Sequence, residues 1–251
     1  MSATQAWALL GSGEFDPWTD EVDRRMLVRD GARPGRVLVA PTASAAEGDG
    51  VFDHWAAKGL AHYAGRGIPA QVVALKTRDD AHRQDLVSML DEASMIFFSG
   101  GNPAYLASVL ADTPFWTALR GAMAHGMGYG GCSAGVASLG DTAPDSARES
   151  IDDELWQPGL GVFPGTWFGP HWDTLDGFAP GLTGFMESSV PEGSRLIGID
   201  EDTAMVGDCT RWEVVGTGGV HVLERGSWTR HGTGEAFALA LTPVSPEPGA
   251  G

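Results

Sequence analysis

Gly130-Gly131-Cys132-Ser133-Ala134-Gly135 carries a Gly-x-Ser-x-Gly pattern at Gly131, Ser133 and Gly135. Met127-Gly128-Tyr129, upstream, reads as a short buried strand; Val136, Ala137 and Leu139, downstream, read as the start of a core-packed helix. A strand that turns this sharply into a helix needs small residues beside the turn, because a side chain there strikes the backbone. The apex residue then points outward, exposing its hydroxyl to a base and a substrate. The Ala134 N–H lies at the helix N-terminus, where it can stabilise an oxyanion. Chance competes with this reading, since the chain has 36 glycines. The flanking strand and helix favour the elbow. A Cys132 apex would put Ala134 where the second glycine belongs, so Ser133 is the expected nucleophile and Cys132 its packed neighbour.

The elbow predicts an α/β fold, and the flanking chain agrees. Ala6–Leu10, Arg36–Ala40, Ala70–Leu75 and Ser94–Phe98 are apolar runs that read as buried strands. Between them lie helical patterns: Trp18, Val22 and Met26; Phe52, Trp55, Ala56, Leu60 and Tyr63; Leu86, Met89, Leu90 and Ala93. Asn102-Pro103 and Thr113-Pro114 read as helix caps with proline at the first helical position. Strands buried on both faces and alternating with helices predict a mostly parallel sheet flanked by helices. Ligands of such sheets bind at the carboxyl ends of the strands. Gly11–Gly13, Pro41–Ser44, Gly100–Asn102 and Ser133 all follow strands and are expected to converge there. The Gly100-Gly101 turn is a source of a second oxyanion donor or, equally, only a tight turn.

Beyond the elbow, Asp141–Pro158 reads as an acidic surface loop or short helix, a candidate lid. Trp167–Asp173 is an aromatic stretch around His171. Arg195–Ile199 reads as a strand ending in Asp200-Glu201-Asp202-Thr203. Trp212–Val215 and Val220–Glu224 alternate like a hairpin around Gly216–Gly219. Ala236–Leu241 reads as a last strand and Ser245–Gly251 as a frayed tail. No repeat or linker interrupts the 251 residues, so one domain over 1–251 is expected.

A formal charge of −17 argues against nucleic acid and anionic membrane as partners. Two cysteines give neither a disulfide framework nor zinc spacing. Met1–Gln5 has no basic n-region, and no apolar run approaches membrane-spanning length. A cytoplasmic protein is the expectation.

A serine hydroxyl needs a base, and the base an orienting acid. His54, His62 and His82 fall on helix faces that read as solvated, and His125 precedes the elbow strand at its wrong end. Of the remaining His171, His221 and His231, His171 is the best candidate, in a Gly-Pro-His turn walled by aromatics. Glu201 follows an apolar strand between two aspartates, whose burial an imidazolium would offset; Asp141, Asp145 and Asp173 are the alternatives. His171-x-Asp173 lacks a third ligand of clear spacing, so no metal is expected.

Five stretches together resemble the peptidase S51 family, which includes cyanophycinase and dipeptidase E. They are Gly11-Ser12-Gly13-Glu14-Phe15, Pro41-Thr42-Ala43-Ser44, Phe97-Phe98-Ser99-Gly100-Gly101-Asn102, Gly131-Cys132-Ser133-Ala134-Gly135 and Gly198-Ile199-Asp200-Glu201-Asp202-Thr203-Ala204. The last points to the cyanophycinase branch. The resemblance implies a fold similar to the class I glutamine amidotransferase domain and a serine peptidase acting on small, including aspartyl, peptides or isopeptides. Ser133 would be nucleophile, His171 base and Glu201 orienting acid, with an oxyanion hole at Gly101 and Ala134. Gly13, Asn102 and Trp172 are expected to line the substrate site. No metal or organic cofactor is implied, and the protein would act as a monomer or homodimer. In the dipeptidase E branch the acid follows the serine more closely, which keeps Asp145 in play. Cyanophycinases tend to carry arginines just after the histidine; here no Lys or Arg lies between Arg148 and Arg195. Two rival readings are an α/β-hydrolase-type esterase, with Asp200 or Asp208 and His221 or His231 completing its triad, and a ligand-binding protein that has lost turnover.

Overall fold

All five residues of Ala6–Leu10 (β1) are buried, and they point alternately into two different cores. Trp7 and Leu9 join one core and Ala6, Ala8 and Leu10 the other, as expected of a strand covered on both faces. The computed structural model describes residues 5–148 and 150–244; the stretch read as a frayed tail lies outside them. After β1 come α1 (Asp20–Val28), β2 (Arg36–Ala40), α2 (Asp49–Ala64), β3 (Ala70–Val72), α3 (Gln84–Ser88) and β4 (Ala93–Phe98). Then follow α4 (Pro103–Leu110), α5 (Pro114–Ala124), β5 (Gly128–Cys132), α6 (Ala134–Ala137), β6 (Thr142–Pro144), β7 (Trp156–Pro158) and β8 (Thr166–Pro170). The chain continues through α7 (Leu175–Phe178), α8 (Leu182–Ser189), β9 (Arg195–Ile199), β10 (Thr203–Gly207), β11 (Arg211–Gly216), β12 (Gly219–Glu224), β13 (Ser227–Gly232) and β14 (Ala236–Ala238).

The central sheet has eight strands in the order β14-β11-β10-β1-β5-β4-β2-β3. From β1 to β3 the strands are parallel, and β10, β11 and β14 extend the sheet antiparallel. Most of the predicted helix faces are buried, but Leu60 of α2 is exposed, and the helix read over 86–93 ends at Ser88, with Ala93 opening β4. Val22 and Met26 of α1 and Tyr63 of α2 cover one face; Leu106 and Val109 of α4 and Phe115, Leu119 and Met123 of α5 cover the other. The caps hold too: Asn102 Oδ1 accepts from Tyr105 N–H, and Thr113 Oγ1 from Trp116 N–H. The third predicted strand ends at Val72, although Val73 and Leu75 remain buried. No helix of the described residues is long and apolar enough to cross a membrane.

A second sheet, β13-β12-β9-β8, departs from the sequence reading. The predicted hairpin of residues 212–224 does not form: β11 pairs with β10 and β14 in the central sheet, whereas β12 pairs with β9 and β13 in the second. Alternation records which face of a strand is buried, not which strand lies beside it. The chain crosses between the sheets twice at one place, from β9 to β10 and from β11 to β12. Gly218 packs there so closely that a Cβ would lie 2.6 Å from the Asp200 Cβ. The Thr217 N–H donates to Asp202 O, and the Gly219 N–H to Asp200 Oδ2. The stretch read as a surface loop or short helix is bounded by two short strands: β6 and β7 pair antiparallel, with Ala143 and Leu155 buried.

His62, read as solvated, is buried between α1 and α2. Its Nε2 lies 2.6 Å from Asp23 Oδ2 and its Nδ1 3.1 Å from Phe15 O, and Tyr63 Oη donates to Asp23 Oδ1. The helical period does not expose this, because the partner lies 39 residues away. Asp23→Ala would leave two buried groups, His62 Nε2 and Tyr63 Oη, without their shared partner, and is expected to cost about 2–5 kcal/mol. A thermal melt checks this; a loss below about 1 kcal/mol would make the pair worth no more than a surface ion pair.

Candidate active site

Gly131 and Gly135 are glycine because the elbow is tight. A Cβ at Gly131 would lie 2.4 Å from Gly135 O, and one at Gly135 2.5 Å from Phe98 O. Tyr129, fully buried, donates from Oη to that same Gly135 carbonyl at 2.6 Å. Burial pushes its phenol well above the ordinary range, so it stays a donor. Between the glycines, Ser133 adopts φ 50°, ψ −106°, a left-handed backbone that an L-residue holds only when its surroundings impose it. Its N–H donates to Leu10 O, and its carbonyl accepts from Val136 and Ala137. The predicted helix is a single turn, α6, and the Ala134 N–H is one of its orphan donors.

His171 comes off the end of β8, a buried strand inside the stretch read only as aromatic. It too is left-handed, at φ 57°. Its Nε2 lies 2.8 Å from Ser133 Oγ, and its Nδ1 3.0 Å from Glu201 Oε1. An ionised carboxylate only accepts, so Nδ1 carries the proton and Nε2 is free to accept from the serine. The Phe178 ring meets the imidazole edge-on at 5.2 Å.

Glu201 sits at the crossing between the two sheets. Its N–H donates to Asp173 Oδ1 at 2.8 Å, and its carbonyl accepts from Thr203 Oγ1. The next N–H, of Asp202, donates to Ser12 Oγ. The turn therefore joins the loop after β1 to the loop after His171. Of the three adjacent acids, only Asp200 is buried, where it accepts from Gly219 N–H and faces His221 Nε2 at 2.9 Å. That His221–Asp200 pair is one of those the esterase reading allowed, but the imidazole on Ser133 is that of His171.

The other expected site residues are placed as follows. Gly101, at φ 139°, packs on the segment after β2, where a Cβ would lie 2.4 Å from Ala43 C. Asn102 is committed to its helix cap and to Asp145, whose Oδ1 accepts from Asn102 Nδ2 at 2.6 Å. Asp145 therefore holds the β6–β7 hairpin to α4; it is not the histidine's partner. A groove of about 500 Å3 runs along α4 from these two residues, and neither Ser133 nor His171 lines it. Gly13 backs the acid turn, leaving room for Asp202, whose Oδ1 would lie 2.2 Å from a Cβ. The Trp172 indole lies over Gly198 and Gly169 of the second sheet, with the Trp228 ring 5.1 Å away. Its flat ring needs the bare surface those glycines leave. Among the described residues no three His, Cys, Asp or Glu side chains group as a metal site.

Sequence reasoning missed Glu14, Asp173 as an anchor, and Phe178. Glu14 did carry a signal, as a lone acid in an otherwise glycine-rich and apolar turn.

Known proteins resemble this chain in sequence and in fold. Cyanophycinase of Synechococcus elongatus is 31% identical over 163 residues, 63% of this chain and 48% of that protein. Cyanophycinase of Geminocystis herdmanii (strain PCC 6308) is 33% identical over 171 residues, 64% of this chain and 61% of that protein. The matches thus span about half to three-fifths of these relatives' length. The crystal structure of a peptidase from an acI-B1 Actinobacterium superposes with a TM-score of 0.83 at 29% identity, covering 95% of this chain and 99% of that one. A putative peptidase E protein from Listeria monocytogenes EGD-e shares the fold, with a TM-score of 0.58 at 15% identity over 91% of this chain and 98% of that one. The model of the family described as peptidase family S51 matches residues 7–213, and the chain belongs to that family.

Proposed function

We propose that this chain is a serine peptidase that hydrolyses amide or isopeptide bonds of small peptides through Ser133, His171 and Glu201. The observation that carries the reading is the hydrogen-bonded series Glu201–His171–Ser133, with Ser133 held left-handed at the elbow. His171 Nε2 takes the Ser133 proton as Oγ attacks the substrate carbonyl carbon. The carbonyl oxygen becomes an oxyanion and rests on the N–H groups of Gly101 and Ala134. The tetrahedral intermediate collapses, breaking the C–N bond, and His171 returns the proton to the leaving amine. Water, deprotonated by His171, then attacks the acyl ester; the bond from the acyl carbon to Oγ breaks, the acid leaves, and His171 returns the proton to Ser133 Oγ. Throughout, Glu201 holds the Nδ1–H tautomer and faces the imidazolium.

The relatives named cyanophycinase support an isopeptide or aspartyl substrate. The segment Trp172–Gly177, which bears two acids and no basic residue, supports a recognition of the substrate side chain different from theirs. The test is hydrolysis followed by mass spectrometry, with the wild type and Ser133→Ala offered α-Asp-X dipeptides, β-Asp-Arg and a mixed peptide and isopeptide set. Cleavage by the wild type alone is expected. Equal cleavage by both proteins would overturn the mechanism, and wild-type hydrolysis of esters only would favour the esterase reading.

A further inference from the structure

Glu14 is 4% exposed and takes no part in the steps above. Its Oε1 accepts from the Gly100 N–H at 2.8 Å, and its Oε2 from the Cys132 thiol at 3.0 Å. Burying a carboxyl group is costly unless its oxygens are bonded, and here each oxygen takes one donor. The donors come from two different strand ends. Gly100 opens the turn after β4, and Cys132 ends β5, one residue before the nucleophile. Burial, together with the neighbouring carboxyl, pushes the Cys132 thiol well above its ordinary range, which keeps it a donor.

The geometry ties this carboxyl to the reacting atoms. A Cβ on Gly100 would lie 3.4 Å from Glu14 Oε1 and 3.5 Å from Ser133 Cβ, so Gly100 is held between the two side chains. The far side of the turn is fixed as well. Gly101 is wedged on Ala43, and the Asn102 N–H donates to Ala43 O. Glu14 itself is held from behind, because the carbonyl of Phe15, at φ 65°, faces His62 Nδ1.

We propose that Glu14 is a positioning residue of the active site, whose carboxyl clamps the Gly100-Gly101 turn to the elbow strand and so sets the oxyanion donor against Ser133. The inference rests on the peptidase reading. An oxyanion donor acts only where it is aimed, and losing one outright costs about 100- to 1,000-fold in kcat. A donor that remains but wanders forfeits part of that.

The test uses a fluorophosphonate, which phosphonylates an activated serine and puts its P–O oxygen where the oxyanion would lie. Labelling rates are measured on the folded protein, well below each variant's Tm. In Glu14→Ala the limiting labelling rate is expected to fall about 10- to 100-fold, with the half-saturating probe concentration changed less than threefold. Glu14→Asp keeps the charge but is too short to span both donors, and is expected to fall as far; it carries the test if Glu14→Ala does not fold. Glu14→Gln keeps an acceptor for Gly100 N–H, and the thiol can turn to accept from its amide, so it should stay within about fivefold of wild type. A purely structural Glu14 would lower Tm and leave the labelling rate of the folded protein within threefold, overturning the inference. A Glu14→Gln as slow as Glu14→Ala would also overturn it, since charge rather than the clamp would then matter. A wild type that is not labelled at Ser133 sinks the peptidase reading and this inference with it; slow-labelling failures confined to the Glu14 variants leave that reading standing.

Discussion

Ser133→Ala is expected to lower kcat about 10,000- to 1,000,000-fold, the loss seen when a hydrolase loses a nucleophile that acts as a unit with its base. Backbone donors and binding would supply whatever catalysis remains. Stability should respond differently. Ser133 holds φ 50° because Leu10 O, the Val136 and Ala137 N–H groups, and the glycines at 131 and 135 impose it. Such a backbone costs about 1–3 kcal/mol in a non-glycine residue. Alanine keeps the Cβ and therefore the strain, so Ser133→Ala should melt close to wild type. Glycine relieves the strain, less about 0.4–1 kcal/mol for the freedom it adds to the unfolded chain. Ser133→Gly should therefore be inactive yet more stable by about 0.5–2 kcal/mol, a rise of a few degrees in Tm for a chain of this size. Full activity in Ser133→Ala would refute the nucleophile. A Ser133→Gly that melts below wild type would show that the elbow stores no strain.

The contrast between the two halves of the chain shows what a sequence makes legible. Trp7 and Leu9 against Ala8 and Leu10, or Val37 and Val39 against Leu38 and Ala40, are apolar on both faces, and that pattern marks a strand covered on both sides. Ser133 was legible because a steric rule demands its neighbours: no Cβ fits at Gly131 or Gly135. Glu201 was legible as an acid after an apolar strand and His171 only as a histidine in a Gly-Pro-His turn walled by aromatics; their pairing follows from how β8 and β9 end. The second sheet was not legible. Val220 and Val222 alternate with His221 just as a hairpin partner of β11 would, yet they pair with β9, where Thr217, Gly218 and Gly219 are held against the Asp200–Asp202 turn. Clusters assembled from distant residues were invisible for the same reason. Glu14 meets donors 86 and 118 residues away, and His62 meets an acid 39 residues back on another helix. His62 alone reads as an ordinary polar side chain, and the setting of Glu14 in its turn does not name its partners.

The acid is where two branches of the family pattern part, and substitution can decide it. Glu201 Oε1 faces His171 Nδ1 at 3.0 Å, whereas Asp145 is engaged by Asn102 and by the N–H of Ala147 on the β6–β7 hairpin. Glu201→Gln removes the charge opposite the forming imidazolium and allows the amide to favour the wrong tautomer. In a template with a buried acid that change costs about 10,000-fold in kcat. Here the Glu201 side chain is 41% exposed, and water shares the work of solvating the imidazolium. The expected loss is therefore smaller, about 100- to 1,000-fold in kcat, with KM nearly unchanged because the interaction strengthens only as charge develops. Asp145→Asn keeps an acceptor for Ala147 N–H and should leave kcat within threefold, its cost confined to the docking of the hairpin. Steady-state kinetics on one cleaved peptide compares the two. If Asp145→Asn proves the deeper lesion, the hairpin must swing its carboxylate to His171 during turnover, and the Glu201 contact belongs only to the resting enzyme.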